Sequence, residues 1–209
     1  MPRYGFTPDQ IQTLTPVNKN ELGARNLNFN LQQQLNPYRS DRRELTINGT
    51  TYRIGDRVMQ ITNNYDKDVY NGEMGVVVDI ATSTEAPKST SSRKKNKDGS
   101  VVSVQFDRHG ETVLYPEADM DQIILSYAVT IHKSQGNEFP VTIIPLHHQH
   151  KRMLQRNLLY TAVTRGKRLV ILVGTKSALQ IAVDVTHAEG EGRFTNLAEQ
   201  ITTSYQNKE

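Results

Sequence analysis

The sequence predicts an α/β domain interrupted by a small all-β unit. Helical and strand-like runs alternate at both ends of the chain, while a stretch of short strands with tight-turn signals fills the middle. Strands alternating with helices argue for one layered α/β core. A block of short strands inside it argues for an inserted barrel.

The elements follow in order. Ile11–Pro16 alternates and stops at proline, so it reads as a short strand. The stretch from Asn18 to Gln34 carries Leu22, Leu27 and Leu31, with Leu35 beyond. The spacing of four predicts a helix with one leucine stripe. Asn36-Pro37 ends it, because the residue before proline avoids the helical region. Strand-like runs then occupy Thr51–Arg53, Arg57–Thr62, Met74–Ile80, Val101–Phe106 and Thr112–Tyr115. Asn48-Gly49, Asn71-Gly72 and Asp107–Gly110 separate them, and Asn-Gly is a strong hairpin signal. Residues 81–100 are rich in Ser, Lys and Thr, bury nothing and predict a long mobile loop. Ile123–Thr130, Val141–Leu146 and Leu169–Gly174 read as strands buried on both faces. A helix is expected from about Arg152 to Arg165, capped by Gly166 in the left-handed region. Two more are expected at Ser177–Val185 and Asn196–Ser204, the latter opening on a capping-box pattern, Asn196 with Glu199. The predicted division is 1–44 and 118–209 for the α/β unit, with 45–117 as the barrel.

Composition narrows the function. The 209 residues hold 25 Lys and Arg against 22 Asp and Glu, a formal charge of +3, which permits an acidic partner without demanding one. There is no cysteine, so disulfides, zinc ribbons, thiol nucleophiles and iron–sulfur ligation are excluded. No apolar run reaches the roughly 18 residues of a membrane span, and the N-terminus lacks a signal-peptide pattern. A cytoplasmic location and no membrane partner are the expectation.

Two segments concentrate chemistry. In Tyr127–Pro140 a buried strand ends at Thr130, and His132, Lys133, Ser134, Gln135 and Glu138 crowd around Gly136. Open α/β sheets bind ligands beyond the carboxyl ends of their strands. Thr130, His132 and Lys133 can donate to phosphates, while ionised Glu138 only accepts and suits a ribose hydroxyl. A solvated polar turn between two core strands would look the same. In Asn157–Gly174, Arg165 closes a helix before a buried strand. Its planar fork matches phosphate oxygens. Lys167 and Arg168 are read as complements of the helix dipole.

These segments resemble motifs V and VI of superfamily 1 helicases, nearest the RecD-like branch. Leu14–Pro37 is similar to that branch's motif IV region, marked by Gly23, Leu27-Asn28, Leu31-Gln32 and Asn36-Pro37. Tyr52–Val77 resembles its SH3-like insertion, domain 2B. The resemblance implies a RecA-like lobe of the P-loop NTPase type, domain 2A, with the SH3-like barrel inserted. It implies that Arg165 reaches the γ-phosphate of ATP as a catalytic arginine. Glu138, Gly136, Gln135 and Lys19 would serve the nucleotide, with Arg25 second to Lys19. Thr130, His132, Lys133 and Asn28 would lie along single-stranded DNA. Asn20-Glu21 stands where the branch often has Gly-Pro after the basic residue.

No G-x-x-x-x-G-K-[ST] loop occurs in the 209 residues. The resemblance therefore places the ligands of Mg²⁺, and the cradle for ATP, on an N-terminal RecA-like lobe. It implies a 5′ to 3′ DNA helicase whose C-terminal half does not hydrolyse ATP alone. Its partners would be that lobe, single-stranded DNA and RecB/RecC-type subunits. The alternative is a stand-alone nucleic-acid-binding module working through its barrel. Three further features invite a role. His147, His148 and His150 cluster, though without a carboxylate at ligand spacing no metal site is expected. Arg93, Lys94, Lys95 and Lys97 could touch a phosphate backbone. Tyr52, Tyr65 and Tyr70 could stack on bases or fill a core.

Overall fold

The computed structural model describes residues 5–81, 99–108, 110 and 112–186. The basic run at 93–97 and the expected helix Asn196–Ser204 lie outside them.

Two sheets organise the molecule. The first is parallel, with order β11 (Gly166–Gly174), β10 (Phe139–Leu146), β1 (Ile11–Thr15), β9 (Ala128–Thr130). Its core gathers Leu14, Val129, Ile131, Ile144 and Leu146 with Leu154, Leu158, Ala162, Ala178 and Ala182. Leu158 and Ala162 belong to α2 (Arg156–Val163), Ala178 and Ala182 to α3 (Lys176–Asp184), and Leu154 to the turn before α2; together they form the wall over the sheet.

The second sheet is antiparallel, with order β7 (Thr112–Pro116), β6 (Val101–Phe106), β5 (Met74–Ala81), β4 (Arg57–Gln60), β8 (Ile123–Leu125). The hairpin of β2 (Glu44–Ile47) and β3 (Thr50–Arg53) folds against it, so that Ile47 and Tyr52 join Val58, Val77, Val104, Phe106 and Tyr115 in one core. Its turn is the expected Asn48-Gly49, both residues at positive φ (51° and 75°). Strand β2 was not foreseen, because only Leu45 and Ile47 mark it as apolar.

Several expectations change. Leu169–Gly174 is not buried on both faces: it lies in β11 at the edge of the parallel sheet, with Leu172 and Val173 exposed. The run 123–130 is not one strand: Ile123–Leu125 pairs antiparallel with β4, and Ala128–Thr130 pairs parallel with β1. Ser126 and Tyr127 carry the chain from one sheet to the other, and apolar continuity could not reveal the change of partner. Gly166 is no left-handed cap. It opens β11, where a Cβ would lie 2.8 Å from Thr142 Oγ1 and 2.5 Å from Val170 Cγ2. The stretch 148–153 is a 3₁₀ segment, and the helix begins only at Arg156.

The helix α1 (Ala24–Leu35) also turns differently from the leucine stripe. Ala24, Asn28 and Gln32 face inward, and Leu35 is exposed. Buried amides are stable only when bonded. Asn28 donates to the carbonyls of Leu125 and Ala128 (2.9 and 2.8 Å) and accepts from Ala128 N (2.8 Å). It thus clamps the crossing between the sheets. Gln32 and Asn36 donate to the carboxylate of Asp56, which is fully buried. Arg53 N (2.7 Å) and the Tyr127 hydroxyl (2.8 Å) complete four donors around it. Burial pushes the Asp56 carboxyl pKa up, and these donors pull it back. Helix, hairpin and crossing strand therefore meet at one carboxylate. Among the described residues no helix is long and apolar enough to cross a membrane.

Candidate nucleotide and strand site

The segment after β9 folds into a compact loop. Ile131 and Ser134 are buried and pin it: Ser134 Oγ donates to Ile131 O at 2.8 Å, and Ser134 N donates to Thr130 O at 3.1 Å. Gly136 takes φ of 88°, a conformation that a side chain would strain. The result pushes His132, Lys133, Gln135 and Glu138 into solvent while their backbone is held. A rigid loop with exposed polar tips suits ligand contact.

This loop is laced to the end of α2. Phe139 N donates to Arg165 O (2.8 Å), and Arg165 Nη1 donates to Asn137 O (3.2 Å). The remaining guanidinium bonds are longer, Nε to Thr161 O at 3.3 Å and Nη2 to Thr164 Oγ1 at 3.4 Å. Arg165 is half-buried and has no carboxylate partner among the described residues, so its charge is oriented but not neutralised. Beside it Lys167 Nζ lies 3.1 Å from Glu138 Oε2, with both side chains more than half exposed. Lys167 and Arg168 thus serve β11 and not the helix end; Arg168 packs over the Phe6 ring at 4.9 Å. Asn137, which sequence reasoning passed over, also donates Nδ2 to Gly72 O at 2.9 Å. It joins this edge to the barrel.

The strand-side residues gather elsewhere. Thr130 and Lys133 line a cavity of about 200 Å³ with Asn18, Arg25 and Asn28. It continues past Arg25, Thr50 and Leu125 into a larger one of about 600 Å³ between α1 and the β2–β3 hairpin. Lys19, expected with the nucleotide set, lines this second cavity and makes no contact with Glu138 or Arg165. Asn28 is lodged between the two sheets with its amide spent on backbone. His132 is exposed at the loop tip.

The tyrosines divide. Tyr52 is core, its hydroxyl on Ile123 O and its pKa pushed up to about 12 by burial and by Asp56. Tyr65 is three-quarters exposed and meets Tyr70 edge-on at 6.0 Å. The histidines divide too. His147 and His148 are exposed, while His150 is buried with both ring nitrogens unpartnered. Burial, then His147, lowers its pKa. Among the described residues no group of three or more His, Asp or Glu side chains could hold a metal ion.

Comparison with known proteins bears on family and fold. Residues 27–106 match the family described as ATP-dependent RecD-like DNA helicase SH3 domain, and residues 125–173 match the UvrD-like helicase C-terminal domain. The ATP-dependent RecD2 DNA helicase of Deinococcus radiodurans is 34% identical over 194 residues, 93% of this chain and 24% of that protein. The RecBCD enzyme subunit RecD of Mycobacterium tuberculosis is 32% identical over 134 residues, 64% of this chain and 20% of that one. The chain thus spans about a quarter or less of the length of these relatives. The Pif1 helicase of Candida albicans shares the fold, with a TM-score of 0.52 at 16% identity over 98% of this chain and 50% of that chain. Bacteroides Pif1 bound to single-stranded DNA does so at a TM-score of 0.50 and 17% identity, over 95% and 46%. With an SH3-like barrel set into a parallel-sheet lobe, and both parts matched in sequence, the chain belongs to the RecD-like DNA helicase family.

Proposed function

We propose that this chain supplies the C-terminal half of an ATP-dependent DNA helicase motor. The observation that carries the reading is the single edge at which Arg165 is bonded to Asn137 and Phe139, the residues on either side of Glu138. Phosphoryl transfer is catalysed chiefly by positioning and charge neutralisation. An arginine held only by long bonds to neutral oxygens keeps its charge for a phosphate brought across a cleft. Glu138 is placed to accept from a sugar hydroxyl once it leaves Lys167. This acceptor and this donor fit the sugar and phosphate ends of ATP, which supplies the phosphoryl group when bound. The RecD-like resemblance assigns the Mg²⁺ ligands to an N-terminal RecA-like lobe. The 209 residues alone are expected not to hydrolyse ATP.

Thr130, His132 and Lys133 sit on the same short loop as Glu138, so closure on nucleotide moves the strand contacts with it. Single-stranded DNA is the proposed partner on that side, with Lys19 and Arg25 reassigned there. Asn28 acts by clamping the crossing strand and not by touching DNA. Movement 5′ to 3′ follows from the RecD-like resemblance. In the protein joined to its N-terminal lobe, Arg165→Ala should cut DNA-stimulated ATP turnover about 10³-fold or more. Strand affinity and the unfolding midpoint should stay unchanged. Near-normal turnover would remove Arg165 from the mechanism.

A further inference from the structure

We infer that Phe29 is a base-stacking residue, so that the groove between α1 and the barrel hairpin reads the faces of bases as well as the charge of phosphates. The inference rests on the proposed strand-binding reading of this side. Phe29 stands on the outer face of α1 with 59% of its surface exposed. A single exposed phenylalanine is ordinary on a protein surface, so what covers this one follows from the groove it lines.

The surroundings say what that cover is. Phe29 lines the 600 Å³ cavity with Lys19, Arg25, Asn26 and Gln33, and no Asp or Glu lines either that cavity or the adjoining one. Lys19, Arg25 and Lys133 have no ion-pair partner among the described residues. Unneutralised cations along an acid-free groove complement a polyanion. An apolar protein partner would leave those charges unmatched, and a duplex would hide the base faces. A single strand offers phosphates to the cations, base edges to the amides and an open ring face to Phe29. Aromatic stacking of this kind tolerates any base.

The test compares two strands of equal length, oligo(dT) and its abasic counterpart, binding to the 209-residue chain and to Phe29→Ala. Both share the phosphate charge and only one has bases. Phe29→Ala should weaken oligo(dT) about 5- to 150-fold. It should leave the abasic strand and the unfolding midpoint unchanged. Phe29→Trp should restore oligo(dT) affinity, and its fluorescence should be quenched by oligo(dT) and not by the abasic strand. If wild type binds both strands and Phe29→Ala matches it on both, the inference falls and the strand-binding reading stands. Equal weakening on both strands also overturns it, by giving Phe29 a structural role. If wild type binds neither strand, the strand-binding reading itself fails.

Discussion

The edge around Arg165 and the junction around Asp56 are both polar, and they are built in opposite ways. At the edge the guanidinium makes bonds of 3.2–3.4 Å to neutral oxygens and stays half-open. At the junction three of the four donors to the carboxylate lie at 2.7–2.8 Å, with no solvent access. The difference teaches where chemistry can reside. A charge whose bonds are few and long is available to a ligand, whereas a fully bonded buried charge holds elements in place. The same molecule leaves one charge open at the edge and spends the other on mounting the barrel on the lobe.

That contrast can be broken by substitution. Asp56→Ala leaves four buried donors without an acceptor and should lower unfolding free energy by about 3–5 kcal/mol, read by denaturant titration. Because the folded pKa of Asp56 is raised, its contribution is full below its usual value of 3.8 and shrinks as pH rises through the folded value. Asp56→Asn should flatten that slope. Asn28→Ala should cost less, about 1–3 kcal/mol, by freeing the backbone of Leu125 and Ala128. Its strand affinity, measured well below the unfolding midpoint, should match wild type. A large loss of affinity without loss of stability would return Asn28 to the DNA-contact set. His150 acts with the opposite sign to Asp56. Its lowered pKa means that stability is full above its usual 6.5 and is lost as pH falls through the folded value. His150→Phe should remove that acid sensitivity. The smallest effect belongs to Lys167→Ala, whose exposed pairing with Glu138 should be worth less than about 1 kcal/mol.

The edge was legible in sequence and the junction was not. Gly136, Glu138 and Arg165 stand in short, ordered motifs whose chemistry depends on residue type, so the sequence points to them directly. Asn28 and Gln32 on α1 and Asn36 just past its end lie four apart, yet amides at that spacing look like a solvated face. Only the partners reveal them as inward: Asp56 comes from the turn between β3 and β4, and Tyr127 from the link between β8 and β9. The break between Leu125 and Ala128 was hidden for the same reason, since both halves are apolar. The sequence also does not show that Lys19 lines a wall shared with the barrel hairpin.

The measurement that tests the central claim most directly is single-stranded DNA binding by this chain across a salt series. Three unpaired cations, Lys19, Arg25 and Lys133, face the groove. At about −0.7 per phosphate for single strands, log K against log salt should fall with a slope of about −2, and Lys133→Ala should reduce the slope by about 0.7. ATP should not alter the affinity of the chain on its own. Binding that survives high salt, or a slope indifferent to Lys133, would contradict the account and favour a module that grips nucleic acid through its barrel.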